Sequence, residues 1–213
     1  MQTLMIIMME NQTTATYRLS PGILVIGGRS SSQSVEFWSA EEGSCELDDY
    51  QREMYYGLTA NFISGRLVTC YDDRCDIYQD GEWNHLQQTR SPRRWHSSAA
   101  RDNVILLIGG IYSNSTEWIP VDGSAAQPGP FSTRNGYFHC TIQVSPDVIV
   151  VTGGVDTWDS VTEYKLTGDG TETPLTPIQY RRYGHACSVY QGAGGKQVYT
   201  IAAQLKLEIL AAW

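Results

Sequence analysis

The chain has 213 residues, the length of one large domain or two small ones, and its 41% hydrophobic and 18% charged content excludes a disordered chain. Fifteen Lys and Arg against 23 Asp and Glu leave a net charge of −8, which argues against a protein whose main work is gripping phosphate backbones. The longest apolar runs, residues 4–9 and 104–108, fall far short of the roughly 20 residues that span a bilayer, so no integral membrane segment is expected.

The N-terminus is a poor secretion signal, because no basic segment precedes the apolar residues 1–9 and Glu10 ends them early. The expected location is cytoplasmic if the chain is complete as given, and extracellular if an N-terminal signal has been lost. Five cysteines are too few for a disulfide-built scaffold. Cys70 and Cys75 are near enough to close a small loop in an oxidising compartment, whereas Cys45, Cys140 and Cys187 have no obvious mates. Cys140 and Cys187 read instead as small apolar residues in buried strands. Two acceptor sequons, Asn11-Gln12-Thr13 and Asn114-Ser115-Thr116, matter only in a secreted chain.

Taken in chain order, a short apolar strand ending in a glycine pair occurs three times. The copies are Ile23-Leu24-Val25-Ile26-Gly27-Gly28, Ile105-Leu106-Leu107-Ile108-Gly109-Gly110 and Ile149-Val150-Val151-Thr152-Gly153-Gly154. A degenerate copy lies between the first two, with Cys70-Tyr71 in place of the glycines, and another ends in Ala202-Ala203. The positions 27, 70, 109, 153 and 202 define a repeat of about 40 to 50 residues. Turns containing glycine follow in phase: Glu42-Gly43, Asp80-Gly81, Asp122-Gly123 and Gly168-Asp169-Gly170. An Arg/His segment precedes each apolar strand: 91–97, 134–140 and 181–187, with a trace at 52–57. Each unit therefore predicts four short strands: the Arg/His segment, the apolar strand, a third such as 35–37 or 161–164, and a fourth after the turn such as 82–86; four strands at this period make a β-propeller blade.

The glycine pair after four apolar residues, the aromatic residues downstream and the Arg…His segment together resemble the kelch-type propeller, related in fold to the central domain of galactose oxidase. The resemblance covers residues 17–203. It implies an all-β fold of about four four-stranded blades plus the start of a fifth, an incomplete ring whose missing blades a longer gene product would supply. Residues 1–16 read as an N-terminal extension. Residues 204–213 read as an irregular tail, although 204–210 alternate like a strand.

His96, His139 and His185 recur with the repeat. They could form a metal site between neighbouring blades, but the spacing is the repeat itself, so they read as one structural residue bonding backbone in each blade. His85 has no partner identifiable from sequence. Residues 192–196 look like a phosphate loop, but Gln197 stands where Ser or Thr must bind magnesium, so they read as a hairpin between Val189-Tyr190 and Val198-Tyr199. No nucleophile elbow or HExxH motif occurs. The galactose oxidase comparison would imply copper held by Tyr, His and a Tyr–Cys crosslink, but no histidine outside the repeat except His85 is present to build it. No enzymatic activity, cofactor or metal is expected. In kelch adaptors, arginines at one mouth bind acidic peptides, and by resemblance Arg52, Arg94, Arg134 and Arg182, with Trp95 and Tyr183, form the interaction face. The competing reading pairs these arginines with acidic residues of adjacent blades. The expected function is a non-catalytic protein-interaction module. The alternatives are an extracellular module binding glycan or matrix, and a copper oxidase.

Overall fold

The computed structural model describes residues 6–9, 13–14, 17–18, 22–26, 33–39, 43–47, 49–50, 57–133, 136–168, 170–191 and 197–202. Among these there is no helix, and the strands form successive antiparallel meanders. The first sheet runs Ile6–Met9, Gly22–Ile26, Val35–Ser39 and Gly43–Leu47. A small ladder of Thr13–Thr14 on Tyr17–Arg18 lies within the connection between its first two strands. The second sheet runs Thr59–Ile63, Arg66–Gln79 and Glu82–Arg93. The third runs Ser97–Arg101, Val104–Ile108, Ser115–Pro120 and Gln127–Ser132. The fourth runs Cys140–Ser145, Val148–Thr152, Val161–Lys165 and Glu172–Pro174, and the fifth pairs Ala186–Gln191 with Gln197–Ala202.

The first strand of each sheet lies beside the first strand of the next, through Ile6–Met9, Thr59–Ile63, Ser97–Arg101, Cys140–Ser145 and Ala186–Gln191. The sheets thus meet at their inner edges and stack face to face, a propeller-like arrangement. Stacking explains the unbroken apolar strands, because successive side chains point to opposite faces and here both faces are covered. In Val104–Ile108, Ile105 and Leu107 pack with Val68, Cys70 and Ile77 of the second sheet. Leu106 and Ile108 pack with Ile149, Val151 and Tyr164 of the fourth. A third cluster joins Ile26, Val35 and Phe37 to Ala60, Leu67 and Trp83. Each fully buried aliphatic side chain contributes roughly 1.5–3 kcal/mol, so the second strands hold neighbouring sheets together.

The repeat positions at Gly109, Gly110, Gly153 and Gly154 fall where expected, just past second strands; Gly27 and Gly28 lie outside the described residues. The expected strands at 35–37, 82–86 and 161–164 are present, the second extended to Arg93. Asp80 and Gly81, both at positive φ, make the tight hairpin turn their sequence predicts. The hairpin around residues 192–196 pairs Val189 with Tyr199 and Tyr190 with Val198, although the turn itself lies outside the described residues.

Four results differ from the expectations drawn from sequence. The first sheet takes its inner strand, Ile6–Met9, from within residues 1–16, so the sheets begin before residue 17. The Arg/His segments are not strands but turns: Arg93 ends one sheet, and the next begins at Ser97, just after His96. The degenerate second unit pairs as three strands, yet Arg66–Gln79 does not run straight. Cys70 and Cys75 are bridged with Cα atoms 4.1 Å apart, where five extended residues would span about 16 Å. The chain folds back there, so the second sheet still contains four extended segments. Finally, Cys140 and Cys187 are not free apolar residues but a disulfide joining the inner strands of the fourth and fifth sheets. Adjacent inner strands bring them together across 47 residues, and no sequence spacing signals such a pairing. Ala203, the tail 204–213 and Asn11 lie outside the described residues.

Candidate functional site

At one end of the stacked sheets the chain passes from the outer strand of one sheet to the inner strand of the next. Three such turns bring 93–96, 136–139 and 182–185 into line. The residue before each histidine has positive φ: Trp95 at 57°, Phe138 at 59° and Gly184 at 60°. Main-chain bonds tie these positions into a row, Phe138 N donating to Trp95 O at 2.9 Å and Gly184 N to Phe138 O at 2.8 Å. Positive φ is unfavourable for bulky residues, so Trp95 and Phe138 are held there by their surroundings.

The glycine pairs form the outer side of the same rim. Gly110 N donates to Gly136 O at 2.8 Å, and Gly154 N donates to Arg182 O at 3.1 Å. A Cβ on Gly109 would lie 2.9 Å from His139 Cε1, and one on Gly153 would lie 2.7 Å from His185 Cε1. The glycine of one sheet therefore makes room for the histidine entering the next.

All three histidines are buried, and His96 and His185 serve as pins; only His96 makes the backbone bond expected of the repeat. His96 Nδ1 donates to Arg93 O at 3.1 Å, which leaves Nε2 to accept from the Thr59 hydroxyl at 3.0 Å. His185 Nε2 pairs with the Thr152 hydroxyl at 2.8 Å. Burial lowers all three pKa values, His96 to about 3 and His139 and His185 to about 4. Among the described residues, no group of three His, Cys, Asp or Glu is placed to hold a metal ion. The pH dependence follows from the direction of these shifts. The unfolded rings titrate near 6.5, so between that pH and about 4 the unfolded chain binds more protons than the folded one. Stability from this source is full above about pH 6.5 and falls on acidification. The unfolding temperature is expected to drop between pH 7 and pH 5, before most carboxylates titrate, and a flat profile there would contradict the burial of the rings.

Two further polar clusters brace the sheets. His85 Nδ1 lies 3.4 Å from Oδ1 of buried Asp76, which also receives Arg74 Nε at 2.7 Å and the Tyr50 hydroxyl. Burial, reinforced by Asp76, pushes the Tyr50 hydroxyl above its ordinary range. Arg93 and Glu117 form an ion pair at 2.9 Å with both side chains 1% exposed. Arg93 also donates to Gly109 O at 3.1 Å and Ser115 O at 2.8 Å, while Glu117 accepts from Arg90 N at 2.5 Å.

Of the six expected interaction residues, Arg52 and Arg134 lie outside the described residues. Arg94 is 43% exposed, but its guanidinium donates to Asp72 of the second sheet at 2.7 and 3.2 Å and covers the Tyr71 ring. Arg182 is half-buried, and its backbone N–H donates to Trp158 O at 2.7 Å. The arginines are not in phase: counted from its histidine, Arg94 stands two residues ahead and Arg182 three, a position held by Arg93 and Gly136 in the other turns. Trp95 and Tyr183 do come together, in an aromatic row that the sequence reveals only in part. Trp95 stacks on Phe138 at 4.6 Å with Tyr137 beside both. Phe138 lies 6.1 Å from Tyr183, which packs edge-on against Trp158 at 5.1 Å. Tyr183 and Trp158 are 41% and 37% exposed, and Tyr112 on the neighbouring loop is 64% exposed. Aligning the three turns on their histidines would have placed Trp95 and Phe138 at one position; Trp158 had no such signal.

No protein-family model matches the chain, and no curated protein matches it by sequence. Among solved structures it is similar to one described as "Structure of YjhT", with a TM-score of 0.74 and 11% identity, over 88% of this chain and 69% of that one. At that identity the likeness concerns the fold alone: an all-β assembly of antiparallel sheets, propeller-like in arrangement.

Proposed function

We propose that the sheets are blades of a kelch-type propeller and that the protein is a non-catalytic interaction module whose partner docks on the aromatic rim. The observation that carries the proposal is the row Trp95, Phe138, Tyr183 and Trp158, which begins among half-buried rings and ends in exposed ones. Aromatic side chains offer large rigid contact area and dominate binding hot spots. Two of them sit in backbone conformations that bulky residues rarely adopt, as happens where function demands a particular presentation. The Arg94 guanidinium is already engaged by Asp72, so the aromatic groups contribute more to recognition than the arginines do. The chemistry of a copper oxidase fits poorly, because four of the five cysteines are in disulfides and His96 and His185 are bonded to threonines.

The test is affinity capture from an extract of the source, followed by titration of the captured protein. Trp158→Ala and Tyr183→Ala are each expected to weaken binding by about tenfold or more, with little change in unfolding temperature. Binding unaltered by both variants would reject the rim as the docking face. A second reading, an extracellular module binding glycan, is favoured by the two disulfides and by the flat faces of the exposed rings. Binding of immobilised oligosaccharides in the absence of any protein partner would select it.

A further inference from the structure

We propose that Asn114 is a site of N-linked glycosylation, added to the chain before the third sheet folds. This goes beyond the interaction reading and does not depend on it. Asn114-Ser115-Thr116 supplies a carboxamide and a hydroxyl two residues on, with no proline between. In the reaction the Asn114 amide nitrogen bonds to the anomeric carbon of a polyprenyl-pyrophosphate-linked oligosaccharide. The bond from that carbon to the pyrophosphate oxygen breaks, the lipid pyrophosphate leaves, and the amide loses one proton; no oxidation or reduction occurs.

Three observations support the site. The first concerns compartment. Cys70–Cys75 and Cys140–Cys187 are both bridged, and disulfides form and persist in oxidising compartments, where this modification takes place. The second is position. Asn114 is exposed at the end of the loop that follows Gly110, and its backbone carbonyl accepts from Thr133 N at 2.8 Å, so the residue is anchored at the surface. A glycan there meets solvent rather than a neighbouring sheet.

The third observation sets the order of events. Thr116 is only 3% exposed; its hydroxyl donates to Phe131 O at 2.5 Å and packs where Gly129 lacks a side chain. A transferase reading that hydroxyl must do so before Ser115–Pro120 pairs with Gln127–Ser132. The same loop carries exposed Tyr112, and Ile111 N bonds to Arg94 O, so the glycan stands at the Arg94 end of the rim. The Trp158 and Tyr183 end remains open.

The experiment is peptide mass spectrometry of the protein isolated from its own source, with and without peptide:N-glycosidase in heavy-oxygen water. Conversion of Asn114 to labelled Asp in most of the protein is expected. In secretory expression, Asn114→Gln should lose the corresponding glycan mass without changing the unfolding temperature, and Thr116→Ser should keep it. Folded, unglycosylated protein should resist purified oligosaccharyltransferase with lipid-linked oligosaccharide and become a substrate on unfolding. Unmodified Asn114 in the native protein would overturn the site. Equal modification of folded and unfolded protein would overturn the order of events.

Discussion

Gly109→Ala is expected to destabilise the protein by about 3–6 kcal/mol, a large part of the stability of an ordinary domain. Gly109 sits at φ +59°, where an L side chain costs roughly 1–2 kcal/mol. Its new Cβ would lie 2.5 Å from Gly136 O, the carbonyl that accepts from Gly110 N. Backbone cannot swing aside as the end of a long side chain can, so the turn entering the fourth sheet must move. Overpacking of that kind costs about 1–3 kcal/mol more, and the strained bond adds about 1. Gly81→Ala is the control. Gly81 also has positive φ, at 86°, but nothing lies within 4 Å of the point its new methyl would occupy, so only the conformational cost of about 1–2 kcal/mol is expected. Urea unfolding of both variants decides the matter, and equal losses would mean that the glycine pair does not carry the contact between sheets. Gly110→Val should behave like Gly109→Ala, because a Cβ there would meet Arg93 Cβ at 2.8 Å.

Glu117→Ala should cost about 3–5 kcal/mol, because it leaves the Arg93 guanidinium buried without its countercharge. Burial already lowers the Arg93 pKa, and Glu117 opposes that shift. The double substitution Arg93→Met with Glu117→Leu removes both charges and retains apolar volume. It is expected to be more stable than the sum of the Arg93→Met and Glu117→Leu single losses predicts, since the penalty lies in the orphaned charge rather than in the missing attraction. Additive losses in the double-mutant cycle would show that the two side chains act separately. The cycle also tests the link between the second and third sheets, because Arg93 ends one and Glu117 lies within the other.

Much of the scaffold was legible in the residue order because it rests on local rules. Apolar runs such as 105–108 announced strands covered on both faces, Asp80-Gly81 announced a hairpin, and the recurring glycine pair announced a repeated unit. The expected Cys70–Cys75 bridge was readable for the same reason, since five residues and a turn suffice to close it. The aromatic row was only half legible. Trp95 and Tyr183 stand beside the histidines in sequence, whereas Trp158 arrives from the loop following Gly154 and meets Tyr183 only once the fourth and fifth sheets adjoin.

By itself, then, the sequence determined the all-β character, the repeat period and the place of each second strand, because these depend on side-chain alternation and turn chemistry within a few residues. Tertiary structure alone decided which distant groups meet. It joined Cys140 to Cys187, buried Arg93 against Glu117 while Arg94 turned to Asp72, and set the aromatic rings in a row. Those partners are 22 to 47 residues apart; strand pairing within the second sheet brings Arg94 to Asp72, and the stacking of one sheet on the next brings the others together, which no local pattern encodes.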